Sequence, residues 1–346
     1  MGVLDIQYAF AIQTQNVNKR KKSTGGGFFR PVAEYVLKNN GRVFGAAYDN
    51  NFVVKHMGIS KIEDIEKLQG SKYVQSEMGD TYVVVESALT NGQMVLFCGT
   101  PCQVAGLDSF LSLRGVSTSN LIRIGVACRA VPSPLIFKKY IEMHQERLNN
   151  GISAVNCRDK FYGYSYSTMS IYSKDLSKKD YHNGLESDEW LRCFFSGICD
   201  RPCCSKCHFR DPIGDFFIGD YFRVKEVAPN LDDDKGTTRL IITSQKGLDV
   251  FESIKTEFNY VQISTDLMKQ TTQSGITKFG KDKEKRKIFF KDAQELKGKE
   301  LFKKYYPRTF KIYLLLYSRR ILFKLGLYKI IKSTIIRMKK GKVVGK

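Results

Sequence analysis

The chain has 346 residues and nine cysteines, and four of the cysteines stand where thiolates could converge on one centre. The stretch Asp200-Arg201-Pro202-Cys203-Cys204-Ser205-Lys206-Cys207 packs soft ligands into a proline-constrained loop. Cys204 and Cys207 have the C-x-x-C spacing that lets two thiolates meet one ion or one corner of an iron-sulfur cluster. Cys203 stands one residue away as an alternative to Cys204. The other half of the site must come from elsewhere in the chain. Cys102 and Cys128 each follow a short apolar run, Met94–Phe97 and Leu121–Ala127, and each precedes apolar residues at helical spacing. Both runs read as strand ends. Ligands in open α/β sheets collect outside the carboxyl ends of strands, so Cys102 and Cys128 are placed to share a site with Cys204 and Cys207. Cys98, Cys157, Cys193 and Cys199 read as packing residues.

A second candidate is the loop Ser23-Thr24-Gly25-Gly26-Gly27. It feeds Phe28, Val32, Tyr35 and Val36, whose spacing predicts a helix ended near Asn39-Asn40-Gly41. Uncapped N–H groups at a helix start favour an anion, and glycines permit its close approach; a flexible capped turn is the plainer reading.

Several motifs in one order resemble a known family. Gly99-Thr100-Pro101-Cys102-Gln103-Val104-Ala105-Gly106-Leu107 is similar to the signature of the coenzyme F420 hydrogenase/dehydrogenase beta-subunit family. Ser23–Phe28 resembles that family's Ser-rich diglycine loop, Gly70–Ser76 its central motif, Arg158-Asp159-Lys160 its Arg-Asp-Lys step, and Asp215–Phe222 its Asp-Ile-Thr-x-Gly-Asp-Phe-Trp motif. The resemblance runs from about residue 23 to about residue 250. It implies an oxidoreductase that passes electrons between an iron-sulfur cluster, a flavin and a redox partner or small-molecule substrate. On this resemblance Cys102, Cys128, Cys204 and Cys207 would ligate one [4Fe-4S] cluster. Ser23, Thr24, Gly25, Gly26, Ser71, Lys72 and Asp220 would hold the flavin, as FAD, with F420 a candidate substrate. Lys72, Arg158 and Lys160 would be the catalytic groups. Short relatives of this kind are associated with bacterial surface-polysaccharide synthesis. The chain also departs from the pattern: Cys128-Arg129-Ala130 stands where relatives have Cys-His-Gly, and Phe222-Arg223 where they have Trp-Gly. Many relatives carry an upstream ferredoxin-like cysteine run, whereas the first cysteine here is Cys98, so one cluster is expected. Four thiolates would equally build a tetrahedral zinc site in a non-catalytic scaffold, a reading that leaves the glycine loop unexplained.

The elements that must position these groups read as α/β, mixed α+β, with a catalytic body and a basic helical C-terminal tail. Strands are expected at Arg42–Tyr48 and Phe52–His56 around Asp49-Asn50-Asn51, at Met94–Phe97, at Asn120–Ala127 and within Ile152–Tyr172. Short helices are expected over Ile62–Leu68 and Asp188–Phe195, and a βαβ-like unit over 223–262. The organisation read from this is an N-terminal segment 1–22, a flavin-binding half 23–150, an iron-sulfur half 151–264, and a linker and tail 265–346, with Thr265–Arg286 as the polar linker.

Composition sets the remaining limits. With 42% hydrophobic residues the chain can bury a large core, and the absence of a secretory pattern in Met1–Gln15 makes a reducing cytoplasmic compartment the expectation. The net charge of +21 is lopsided: Leu296–Lys346 holds 16 Lys or Arg and one Glu, or +15, which leaves +6 for the rest. From Tyr305 the apolar residues Phe310, Leu314, Tyr317, Ile321, Leu325, Tyr328, Ile331 and Ile335 recur at three or four, as in a basic amphipathic helix. Docking on the body and contact with a membrane surface, at the inner face of the membrane, or with a partner are the readings of that face. Nucleic acid is disfavoured because no groove-reading motif accompanies the charge.

Overall fold

The computed structural model describes residues 8–149, 151–209, 211–271, 283–328 and 331. The first half runs β1 (Tyr8–Thr14), α1 (Val17–Lys21), α2 (Phe29–Lys38), β2 (Arg42–Tyr48), β3 (Val54–Ile59), α3 (Ile65–Leu68), α4 (Thr81–Thr90), β4 (Val95–Gly99), α5 (Pro101–Leu113), β5 (Leu121–Val126) and α6 (Pro134–Leu148). The second runs β6 (Ile152–Asp159), β7 (Thr168–Ser173), β8 (Tyr181–Gly184), α7 (Glu189–Ser196), β9 (Phe216–Asp220), β10 (Thr238–Ile242), α8 (Gln245–Ile254), β11 (Phe258–Ile263), α9 (Thr265–Thr271), α10 (Lys283–Glu295), α11 (Gly298–Tyr305) and α12 (Phe310–Lys324). The fold is mixed α/β, as its sequence predicts.

Eight strands form one sheet in the order β11-β1-β10-β9-β5-β4-β2-β3, and β6, β7 and β8 form a second, antiparallel one. Strands β2, β4, β5 and β9 are mutually parallel, whereas β1 is antiparallel to both β10 and β11. Both faces of the main sheet are covered. Along β4, Val95 and Phe97 pack with Val104, Leu107 and Leu111 of α5, while Leu96 between them packs with Val32 and Val36 of α2. That alternation under two helical layers explains why β4 reads as an unbroken apolar run. A separate core around Trp190, Phe137 and Tyr140 joins the small sheet to α6, α7, α10 and α11.

Local chemistry accounts for the elements that carry the cysteines. Pro101 opens α5 with its φ already helical, and the Gln103 side chain accepts the Thr100 N–H at 2.9 Å, capping the same turn. Strand β9 is held by Asp215 just before it. The Asp215 carboxylate is buried and accepts the Arg123 N–H (2.8 Å), its guanidinium (3.1 Å twice) and the Ser244 hydroxyl (2.7 Å).

The C-terminal region differs from its sequence reading in two ways. The stretch Thr265–Arg286, polar enough to read as a linker, contains α9, whose Met268 is buried beside β1, and the first turn of α10; residues 272–282 lie outside the described residues. The tail is not one helix from Tyr305. Tyr305 closes α11, Pro307 interrupts the backbone ladder, and α12 follows; Ile335 lies outside the described residues. Arg308 in that break pins it, with Nε to Glu189 at 2.6 Å and Nη2 to the Tyr181 hydroxyl at 3.1 Å. No helix among the described residues is long and apolar enough to cross a membrane.

Replacing Asp215 by Ala would leave the Arg123 guanidinium without its main counter-charge in the sheet. Breaking a buried pair of this kind costs about 3–5 kcal/mol, so Asp215→Ala is expected to lower the urea midpoint by an equivalent amount without changing the slope. A change below about 1 kcal/mol would place the hold on β9 elsewhere.

Candidate functional site

One edge of the main sheet gathers the candidate residues. The carboxyl ends of β4, β5 and β9 point to it, and the antiparallel register of Thr238 on Asp220 and of Ile12 on Thr238 brings the start of β10 and the end of β1 to the same edge. Cys102 follows β4, Cys128 follows β5, Asp220 ends β9, and the loop Ser23–Gly27 lies beyond β1.

Cys128 lies within electrostatic range of Cys102, Cys204 and Cys207. The loop Asp200–Cys207 is tied to the strand leaving β5 by Arg201 N–H to the Val131 carbonyl (2.9 Å) and Ser133 N–H to the Cys199 carbonyl (2.8 Å). Burial first, and then the neighbouring thiols of Cys102, Cys204 and Cys207 and the Asp200 carboxylate, push the Cys128 thiol up to about 12. Cys204 is raised as well by burial, against a hydrogen bond from the Val131 backbone. Cys203 is exposed. All nine cysteines are free thiols, and among the described residues no three Cys, His, Asp or Glu side chains are closed into a metal-binding group. Asp200, absent from the sequence-based site, is a buried carboxylate beside this cluster with neither oxygen hydrogen-bonded; burial raises it to about 6, against Arg129 and Arg286.

The glycine loop meets Asp220 and Lys160. Lys160 Nζ donates to the Gly25 carbonyl (2.7 Å) and the Arg20 carbonyl (2.8 Å), and Thr24 Oγ1 lies 3.0 Å from Ser71 Oγ while accepting the Ser71 N–H at 2.8 Å. Ser23 Oγ accepts from Gln69 Nε2 at 3.1 Å. Arg158 Nε stands 3.6 Å from Asp220 Oδ2, with its guanidinium 5.3 and 5.1 Å from the rings of Tyr164 and Phe222, which stack on each other at 5.4 Å. The Tyr164 hydroxyl directs its proton between Asp220 Oδ1 and the Thr237 carbonyl, 3.1 Å from each. Burial, and then Arg20, depress the Lys160 ammonium to about 7. A neutral amine keeps two N–H groups, enough for both carbonyls it serves.

Two sequence assignments acquire a different physical content here. Gly26 is required by the protein itself: a Cβ there would overlap the Ile12 carbonyl and lie 2.7 Å from Thr238 N, while its own N–H donates to Thr238 Oγ1 at 2.8 Å. Gly27 adopts φ +92°, a second reason for glycine in this loop. Lys72 is engaged with the backbone of its own turn. Its amine donates to the Gln69 carbonyl (2.8 Å) and the Lys67 carbonyl (3.1 Å), and burial lowers it to about 8 near Cys157 and Cys98.

The stretch 70–76 links the two sets of residues. Ser71 bonds the glycine loop, and Ser76 Oγ accepts from Gln103 Nε2 at 2.8 Å in the first turn of α5. Tyr73 between them stacks on Phe194 with centroids 4.5 Å apart and planes 7° from parallel, and Arg129, next to Cys128, covers the same Phe194 at 5.5 Å. Tyr73 was within reach of sequence reasoning, inside a motif already singled out. Thr237 and Thr238 carry no local signal, since only the pairing of β10 with β9 brings them in.

A sequence model of the coenzyme F420 hydrogenase/dehydrogenase beta subunit, C terminus, matches residues 92–266, just over half of the chain. The chain belongs to this family. No curated protein matches it. Among solved structures, a chain of the F420-reducing [NiFe] hydrogenase complex from Methanosarcina barkeri, in a xenon-derivatised form, superposes with a TM-score of 0.53 at 15% identity, covering 84% of this chain and 93% of its own length. That likeness is one of fold. It reaches beyond residues 92–266 to most of this chain.

In this member of the beta-subunit family Lys160 sets a pH dependence. The unfolded chain keeps an ordinary lysine at 10.5 and the folded one releases its proton near 7, so between those values unfolding takes up a proton and stability rises with pH. Lys72 acts in the same direction between about 8 and 10.5. Lys160→Met is expected to lower the slope of unfolding free energy against pH across this window by about one proton, measured by urea titration at several pH values. An unchanged slope would mean that the amine is charged in the folded protein.

Proposed function

We propose that the chain is an oxidoreductase in which Cys102, Cys128, Cys204 and Cys207 hold one [4Fe-4S] cluster and the cradle of Ser23, Thr24, Gly25, Ser71, Arg158, Lys160 and Asp220 holds a flavin as FAD. The observation that carries this reading is the arrival of both sets at one sheet edge, bridged by the Tyr73–Phe194 stack. The donor set fits a cluster: four free thiols, two on adjacent parallel strand ends and two in one loop, with Cys128 within electrostatic reach of the other three. When bound, the cluster would supply electrons singly and the flavin would collect two of them.

The chain's own groups have separable tasks in this proposal. Arg158, charged and set beside the stacked rings of Tyr164 and Phe222, offers a fixed cation whose Nη1 has no hydrogen-bond partner among the described residues, suited to an anionic edge of a flavin or substrate. Asp220 and Tyr164 orient that guanidinium. Lys160, poised near neutrality, can hold or release a proton at Nζ beside the loop. Gly26 and Gly27 shape the loop, and Lys72 fixes the turn beneath it rather than touching the cofactor. The electron-exchange partner is a second protein or a small redox molecule, F420 among the candidates, since the similar solved chain comes from an F420-reducing complex.

Anaerobic purification followed by absorption spectroscopy and metal analysis tests the reading. Ser at Cys102, Cys128, Cys204 or Cys207 is expected to remove most of the iron and the broad visible band, while Cys157→Ser and Cys193→Ser retain both. Zinc in place of iron would assign the thiols to a tetrahedral structural site, and full iron in Cys204→Ser with loss in Cys203→Ser would shift the ligand register by one.

A further inference from the structure

Helix α12 has two apolar faces. One docks on the small sheet: Leu316 is buried, Phe323 stacks on Phe161 at 5.1 Å and meets Tyr162 at 5.0 Å, and Arg319 pairs with Glu186 beside Tyr166. The opposite face holds Phe310, Tyr313, Leu314, Tyr317 and Ile321, at intervals of three or four and so on one side of the helix. It lies in solvent among the described residues, with Phe310 83%, Leu314 60%, Tyr317 58% and Ile321 56% exposed. A helix that only braced the body would have no use for this stripe, and single exposed apolar residues do not line up this way by chance.

The charge around the stripe selects its occupant. Lys311, Arg320 and Lys324 flank it, α12 contains no acidic residue, and seven more Lys or Arg with no Asp or Glu follow between 329 and 346. Two copies meeting stripe to stripe would bring like charges together. Two tyrosines in an apolar row rimmed by cations match the layering of a bilayer interface, where aromatic rings sit at headgroup level and cations meet anionic lipid. We propose that the outward face of α12 seats this protein on an anionic membrane surface. Because the other face is fixed to the small sheet and Arg308 clamps the preceding turn, the whole body is held in one orientation to the bilayer rather than tethered by a loose tail. The inference is independent of which cofactors the protein carries.

Full-length protein is mixed with phosphatidylcholine vesicles with and without phosphatidylserine, and co-sedimentation is measured over a range of salt. Binding to the anionic vesicles that weakens with salt is expected, and Leu314→Ser with Ile321→Ser should weaken it by about tenfold or more, circular dichroism remaining unchanged because both side chains stand in solvent. Lys311→Glu with Lys324→Glu supplies the second arm and should reduce anionic-vesicle binding while leaving the fold intact. Equal binding by the apolar double variant, no vesicle binding by the parent protein, or a dimer in solution that the same substitutions dissociate would each overturn the proposal, the last in favour of a second copy on this face.

Discussion

Strand β9 is where the parallel part of the main sheet meets its antiparallel part. It runs parallel to β5 on one side and antiparallel to β10 on the other, so the parallel strands β2, β4 and β5 end where the antiparallel ribbon of β10, β1 and β11 begins. A carboxylate stands at each end of it. Asp215 at the start is buried in hydrogen bonds with Arg123 and Ser244, which fixes the height of β9 against β5. Asp220 at the finish is thereby delivered to the edge where Cys128 leaves β5 and Thr238 enters β10. A slip of one residue would turn Asp220 to the other face of the sheet, so the register held at one end determines the chemistry at the other.

Positive charge dominates the cradle around the glycine loop. Arg20, Arg158 and Lys160 are largely buried there, with Asp220 and Asp233 as their acidic neighbours. Burial disfavours the third cation most, which is why the lysine, able to lose its proton, sits beside two arginines that cannot. An anionic ligand entering this surplus would find one fixed cation and one adjustable one. The thiols have the opposite surroundings: Cys128 is crowded by other thiols and by the Asp200 carboxylate, and Arg129 next to it lies over the ring of Phe194.

What could be read from the chain was what its local spacing encodes. The helix after Pro101, the strand pair around Asp49-Asn50-Asn51 and the placement of Cys102 and Cys128 just past strand ends all follow from patterns within about a dozen residues. The motif order was equally visible, and with it the family. Residues whose neighbours are distant in sequence were not. Residues 1–22 read only as an N-terminal segment, yet β1 within them lies inside the sheet between β10 and β11. The second glycine of the loop was expected to serve a ligand, and it is strand β1 that leaves no room for a side chain there. Lys72 sits in a motif that suggested chemistry, but only the three-dimensional path of 67–72 shows its amine turned to backbone carbonyls. Polarity marked 265–286 as a linker because α9 buries only Met268 and Thr271, too few residues to give a periodic signal.

The central place of β1 sets a condition on biosynthesis. Ile12 faces Thr238 and Thr14 faces Phe258, so every ladder this strand makes is with chain that leaves the ribosome more than two hundred residues later. At about 5–20 residues per second the first strand waits roughly 10–50 s for its neighbours. During that interval Phe10 and Ile12, which end in the core, have no sheet to enter, and both edges of the strand remain open to any other extended segment. The strands β2 to β5 can pair among themselves early, but the main sheet is complete only once Ile263 has emerged.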